Sequence, residues 1–362
     1  MAILDYLTNF AMNTPLKLYN KIGFGLPLAS FFMFLAEILY PPISKIPIGE
    51  SPQTRFNKYV NDYNQKKKTD IEQKIAIVTG ANSGIGYETT KALMLTGHIV
   101  VMACRNETLA KEAIADLEKE TGIKTCEFIH LDLSSISSCR KFAAEFKKKH
   151  NKLHLLINNA GIMACPYMTT KDGIEMQFGT NHVGHFVITT ELLDTIKASA
   201  PARIINVSSM AHASGDFNKE KILDKSKYQK VGNYGISKLA NIMFTNSLAK
   251  KLEGTGVTAN SLHPGTVYTK LQRHIPGSSS SIQQSVTRAL FLSPTAGSLT
   301  TLLLALSDKV EGVTGKYFMR ELEATTLSQA TNQEKCDELW EFTEELIGKS
   351  EMNSDTHSIS IK

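Results

Sequence analysis

Cysteine is scarce, tryptophan occurs once, and charge of either sign is barely in excess; each shortage excludes something. The five cysteines (Cys104, Cys126, Cys139, Cys165 and Cys336) are odd in number and widely spread, with no C-x-x-C pair. That excludes a disulfide framework and a thiolate zinc site, and leaves reduced thiols facing a cytosol-like compartment. A net charge of +5 over 362 residues is too small to argue nucleic-acid binding. No Gly-x-Ser-x-Gly elbow occurs, which argues against an α/β-hydrolase. Hydrophobic residues at 42% and charged residues at 21% lie close to ordinary globular usage, excluding a disordered, collagen-like or coiled-coil chain. The length suits one large α/β domain with extensions, or two domains.

Long apolar runs are also rare, and the one present is informative. Residues 22–40, IGFGLPLASFFMFLAEILY, are apolar or small except for Ser30 and Glu37. Nineteen residues at a 1.5 Å rise span about 28 Å, close to a hydrocarbon core of about 30 Å. Pro27 and Glu37 count against a span, although Glu37 lies near one end, within reach of the headgroups. Pro41-Pro42 stops the helix, and no signal-peptide cleavage site follows. The expectation is a membrane anchor within residues 1–45, spanning or interfacial, with a helix docked on the main domain as the alternative. Lys66-Lys67-Lys68 tilts the orientation toward a cytosolic main domain on a membrane such as the endoplasmic reticulum. Residues 46–72 read as a linker, and the polar residues 349–362 as a disordered tail.

Residues 73–348 alternate short β-branched runs with helical patterns. KIAIVT, HIVVMA, CEFIHL, LHLLIN, RIINVS and VTANSL read as strands; Glu107–Glu120 and Ser135–Lys149 carry helical periodicity. Strands without polar alternation are buried on both faces, and βαβ crossovers imply a parallel sheet. The expected fold is a Rossmann-like, doubly wound parallel α/β sheet of about seven strands flanked by helices.

Thr79-Gly80-Ala81-Asn82-Ser83-Gly84-Ile85-Gly86 follows the first strand and opens a helix. Glycines there let backbone amides approach a pyrophosphate at a helix N-terminus, so the loop predicts dinucleotide binding. About twenty residues on, where an acidic side chain would hold an adenosine ribose, Arg105 stands instead. A guanidinium suits a 2′-phosphate, favouring NADP(H) over NAD(H), although a solvent-facing arginine in a helix-entry turn remains open. Asp132, ending the third strand, is a candidate acceptor for the adenine amine or a cap of the next helix.

Tyr234 and Lys238 share one face near the start of a long helix, and Ser208-Ser209 end the strand RIINVSS. A phenol of pKa about 10 is a poor base near neutrality; an ammonium one turn away, helped by an oxidised nicotinamide, favours phenolate. A serine hydroxyl at the strand end can hold a substrate oxygen. His182 and His185, three apart on a predicted helix, lack a third ligand at fitting spacing and read as packing histidines.

These motifs, with Asn158-Asn159-Ala160-Gly161 and Pro264-Gly265, stand in the order found in short-chain dehydrogenases/reductases, which residues 73–348 resemble. CRN, NNAGIMACP, QFGTNHVGHF, INVSSMAH and SKLANIMFT resemble the retinol-dehydrogenase-like group, and Tyr87 and EGVTGKYF resemble its polyprenol-dehydrogenase-like members. The resemblance implies Tyr234 as acid/base, Lys238 as its pKa-lowering neighbour and ribose ligand, Ser209 at the substrate oxygen, and Asn181 supporting a proton relay through a kinked helix. It implies a cofactor site of Gly80, Asn82, Ser83, Gly84, Ile85, Gly86, Arg105, Asp132, Leu133, Asn159, Ala160, Gly161, Tyr234, Lys238, Pro264, Gly265, Val267 and Thr269, with Asn158 supporting the sheet. Ser83 stands where many NADP-preferring relatives carry a basic residue, so the coenzyme choice rests on Arg105.

The implied reaction is hydride exchange between NADP(H) and an alcohol or carbonyl, with a lipophilic retinoid, polyprenoid, steroid or fatty alcohol, aldehyde or ketone as substrate. The segment after Pro264-Gly265 takes the place of the family's lid. A carbonyl reductase for soluble substrates and a non-catalytic NADP(H)-binding scaffold or sensor are the alternatives. No metal and no nucleic acid is expected. Helices Met176–Lys197 and Tyr234–Leu252 match those that pair subunits in relatives, which raises a homodimer.

Overall fold

The computed structural model describes residues 50–66, 72–267 and 291–359. The apolar run 22–40, the triplet's Lys67 and Lys68, most of the lid and Thr269 lie outside the described residues.

Six strands fall where the apolar runs predict: β1 Ile75–Thr79, β2 Ile99–Cys104, β3 Cys126–His130, β4 Leu155–Asn158, β5 Ala202–Val207 and β6 Val257–His263. Two more follow, β7 Tyr317–Met319 and the two-residue β8 Leu322–Glu323. The order is β3-β2-β1-β4-β5-β6-β7-β8, parallel throughout except for the antiparallel β7–β8 pair. β1 and β4 are buried along their whole length. Their continuous apolar character therefore reflects helices on both faces.

On one face pack α1 Pro52–Lys66, α2 Gly84–Leu95, α3 Glu107–Thr121 and, later in the chain, Pro294–Leu306, through Phe56, Leu93, Leu117 and Leu302. On the other lies α4 Ile136–Lys149, whose Phe142 and Phe146 join Phe178, Phe186 and Phe244. The caps follow the sequence: the Asn106 side chain accepts from Leu109 N at 2.9 Å, Gly122 closes α3 at φ 71°, and Ser135 caps α4.

Four expectations change. The stretch read as linker contains α1, whose Phe56 (1% exposed) and Val60 (7%) are core residues. Arg55 and Tyr59 bond the Glu321 carboxylate beyond β7, so the helix is fastened to the sheet edge. Its two buried positions are separated by Asn57, Lys58 and Tyr59, too sparse a pattern to read without the partner surface. The single helix expected from Met176 is interrupted: Met176–Phe178, a π turn Gly179–Val183 and Gly184–Glu191 form α5, and Leu193–Lys197 is separate. Next, α6 Lys230–Lys251 starts one turn before Tyr234. Last, the terminal helix, α8 after α7 Pro294–Leu306, runs Gln333–Ile359, past the boundary expected at residue 348. It packs against α5 and α6, with Trp340 4.7 Å from Phe186 and 5.7 Å from Phe244 between ring centroids.

Candidate active site

The strand order reverses between β1 and β4, and in doubly wound sheets the crevice opens at the carboxyl ends of the strands flanking that reversal. A cleft of about 930 Å³ lies there.

One half is the glycine loop. Gly80 (φ 65°) and Gly84 (φ 60°) take left-handed backbone, and Gly80 N–H bonds the Ala103 carbonyl at 2.9 Å, tying the loop to β2. Ser83 takes the N-cap position of α2 without a side-chain cap bond, so the first amides of α2 open toward the cleft rather than to a capping oxygen. No acidic side chain occupies that first turn. Unspent amides at the positive end of a twelve-residue helix fit a diphosphate. Asn82, Ser83, Ile85 and Gly86 line the cleft; Gly84 is not in its lining and serves the turn.

The adenosine side is formed by the ends of β2 and β3. Arg105 is exposed at the cleft, and Leu133 is buried against it. Asp132 accepts from Ser134 N–H at 3.1 Å and Ser134 Oγ–H at 2.7 Å, and pairs with Lys171 at 3.0 Å. Burial pushes its pKa up, but the Ser134 and Lys171 contacts outweigh this and hold the carboxyl below its usual range. The helix cap that Asp132 was a candidate for is Ser135. Asn159 and Ala160 N–H both bond Thr79 Oγ1 at 2.9 Å, and Asn159 Nδ2 bonds the Thr79 carbonyl at 2.8 Å, so the ends of β4 and β1 are clamped together. Asn158 crosses to Asn206 Oδ1 at 2.8 Å inside the sheet.

The other half holds Ser209, Tyr234 and Lys238, all lining the cleft with Pro264, Gly265 and Val267. Ser209 Oγ accepts from Ala211 N–H at 3.1 Å. Lys238 Nζ lies 5.8 Å from the Tyr234 ring centroid and donates to the Val207 carbonyl at 3.0 Å. Ser208, the other serine, is turned away to the Lys238 carbonyl at 2.7 Å. Gly161 sits between: a Cβ there would be 3.4 Å from Lys238 Nζ and 3.3 Å from Asn181 Oδ1.

Burial pushes the Tyr234 phenol up to about 12, the Ser209 hydrogen bond pulling the other way, and pushes Lys238 down to about 8. The ammonium is set against the Val207 carbonyl, and burial decides the direction for both groups.

Asn181 does not line the cleft. It is fully buried in the π turn, where its Oδ1 accepts from Ile162 N–H at 2.8 Å while its Nδ2 donates to the Ile162 carbonyl at 2.9 Å and Ser237 Oγ at 3.0 Å. Among the described residues no group of three His, Cys, Asp or Glu side chains gathers as a metal site. Sequence reasoning missed the clamping role of Thr79 and, in the cleft lining, His263 and the apolar wall of Ile162, Met163, Met168 and Met176. Thr79 was legible as the last β1 residue before the loop; methionines scattered across a loop carry no period.

The short-chain dehydrogenase family model matches residues 74–278. Human retinol dehydrogenase 14 is 42% identical over 290 residues, covering 76% of this chain and 86% of the relative. Human retinol dehydrogenase 13 is 39% identical over 312 residues, covering 85% and 94%. A crystal structure of an uncharacterized protein from Mycobacterium paratuberculosis superposes with TM-score 0.62 at 32% identity, covering 76% of this chain and 93% of that one. A short-chain dehydrogenase from Shigella flexneri complexed with NADP shares the fold, with TM-score 0.55 at 22% identity over 70% of this chain and all of that one. The chain belongs to the short-chain dehydrogenase family, within its retinol-dehydrogenase-like group. It is an oxidoreductase acting on CH–OH groups with a nicotinamide nucleotide.

Proposed function

We propose that this chain is a membrane-attached, NADP(H)-dependent oxidoreductase that interconverts a lipophilic alcohol and its carbonyl, of retinoid or polyprenoid type. The observation that carries the chemistry is the convergence of Ser209, Tyr234 and Lys238 across one cleft from the glycine loop. The relatives' names supply the retinoid class, and the wall of Ile162, Met163, Met168 and Met176 supplies a deformable apolar surface for it. Arg105 is the group favouring a 2′-phosphate. Attachment rests on residues 22–40, outside the described residues; within those, no helix is long and apolar enough to cross a membrane.

The nucleotide would supply hydride transfer at its nicotinamide. Gly80, Asn82, Ser83, Ile85 and Gly86 would hold its diphosphate, and Lys238 with Gly161 its nicotinamide side. Ser209 holds the substrate oxygen beside the Tyr234 phenol, which gives its proton to a forming alkoxide during reduction and takes it back during oxidation. A phenol buried and protonated is already in the state reduction needs. Oxidation needs phenolate, and positive charge beside the ring must overcome the desolvation that holds the proton on.

Tyr234→Phe tests this reading. It should keep NADPH affinity within about twofold and lose about 10²–10⁴-fold in turnover of all-trans-retinaldehyde. Turnover that survives the substitution would refute the acid/base assignment.

A further inference from the structure

Beneath the cleft floor a histidine that the reaction scheme does not use ties the two halves together. The Thr79 hydroxyl accepts two backbone N–H groups, from Asn159 and Ala160, and has one proton left to give. Its nearer acceptor is His185 Nε2 at 2.9 Å; the Ile157 carbonyl stands off at 3.5 Å. A bond into Nε2 places the ring proton on Nδ1, which lies 2.9 Å from the Asn181 carbonyl, an atom that only accepts. One neutral tautomer therefore satisfies both contacts.

The ring is 1% exposed, and Thr79 and Asn181 are fully buried. Burial, opposed by the bond to the Asn181 carbonyl and reinforced by the Lys238 ammonium, pushes the His185 pKa down to about 4. The imidazole thus stays uncharged through the neutral range and acts as a strut, not a proton carrier. What it braces matters for the site. The π turn interrupts the α-helical ladder at Asn181, and the Asn181 side chain grips Ile162 and Ser237. Ser237 Oγ in turn bonds the Tyr234 carbonyl at 2.7 Å.

We propose that His185 is a positioning residue that holds the Asn181 carbonyl against the end of β1, and through Asn181 and Ser237 sets the turn bearing Tyr234 and Lys238. The inference rests on the reading that Tyr234 handles the substrate proton. Misplacing reacting groups by about 1 Å costs on the order of 10²-fold in rate, so a lost strut shows in turnover more than in binding.

The full chain in detergent, assayed with all-trans-retinaldehyde and NADPH and in reverse with all-trans-retinol and NADP+, separates the two contacts. In His185→Asn the amide occupies the Nδ1 position and keeps the donor to Asn181. In His185→Gln the amide reaches the Nε2 position and keeps only Thr79; His185→Leu keeps neither. The expected result is kcat within about threefold of the parent for His185→Asn, and a loss of about 10- to 100-fold for the other two, with KM and NADPH affinity within about threefold. The rising limb of the oxidation profile, set by loss of the phenolic proton, moves upward in pH for His185→Gln and stays in place for His185→Asn. Equal kcat and unshifted profiles for the Asn and Gln variants, with all three merely less thermostable, would overturn the proposal. Should His185→Leu not fold, the Asn–Gln contrast decides alone. Tyr234→Phe in the same assay keeps the two ideas apart. Turnover retained there sinks the proton role itself, whereas turnover lost there with Asn and Gln alike sinks only the strut.

Discussion

Replacing Gly86 with alanine puts one methyl group where the glycine loop has no room for it. A Cβ there would lie 2.5 Å from the Gly80 carbonyl oxygen, 2.7 Å from Asn159 Nδ2 and 2.9 Å from Ala81 Cα. Two of these three atoms are backbone and cannot swing aside. The third is the amide that clamps β4 to β1 through the Thr79 carbonyl. Relief must come from moving Gly80 and Ala81 outward, against the Gly80–Ala103 hydrogen bond of 2.9 Å. Overpacking of this kind costs about 1–3 kcal/mol. If the displaced amides lose a similar amount of interaction with a diphosphate, affinity falls about 5- to 150-fold, at 1.4 kcal/mol per tenfold. Calorimetric titration with NADPH reads the affinity, and thermal unfolding reads the strain. Gly122→Ala is the control: its φ is 71° but nothing lies within 4 Å of a Cβ there. It should cost about 1–2 kcal/mol of stability from left-handed backbone and leave affinity alone. NADPH bound by folded Gly86→Ala as tightly as by the parent would show that the loop does not cradle the nucleotide.

The other expectations follow from single contacts. Arg105→Ala should weaken NADPH at least about tenfold and leave NADH unchanged, read by paired titrations; equal effects on both nucleotides would remove the 2′-phosphate role. Phe56→Ala should cost about 3–5 kcal/mol in denaturant unfolding with kcat of the folded enzyme unaltered, since Phe56 is core and far along the chain from the cleft; a surface-like loss would return α1 to linker status. The pH dependence of stability carries two opposed signatures. Lys238, moved from 10.5 to about 8, makes the unfolded chain the better proton binder between those values, so stability rises with pH there. Tyr234, moved from 10.0 to about 12, makes the folded chain the better binder, so stability falls with pH from about 10 upward. Comparing unfolding temperatures of the parent and Lys238→Met from pH 7 to 10.5 should show the variant's advantage shrinking; a constant difference would contradict the buried ammonium.

Legibility tracked how local the cause was. Most of the six long strands were readable because burial on both faces leaves continuous apolar runs such as Ile75–Val78. β8 was not, because two exposed residues pair only where β7 places an edge beside them. Helix α1 escaped notice because its apolar positions make sense only against α7 and α2, which lie far along the sequence. Tyr234, Lys238 and Ser209 stood out by spacing and order, and all three line one cleft. Asn181 was found as a residue, but its place behind the cleft, gripping Ile162 and Ser237, was not.

By itself the sequence determined the element order, the glycine turn and the side chains offered at each strand end, since these depend on propensity, caps and backbone freedom within a few residues. Only the tertiary structure decided that the terminal helix covers the α5–α6 face, that the phenol and ammonium are driven apart in pKa by desolvation, and that His185 spans Thr79 and Asn181. Burial and hydrogen-bond partnership are properties of what the rest of the chain brings alongside, and no window of neighbouring residues contains them.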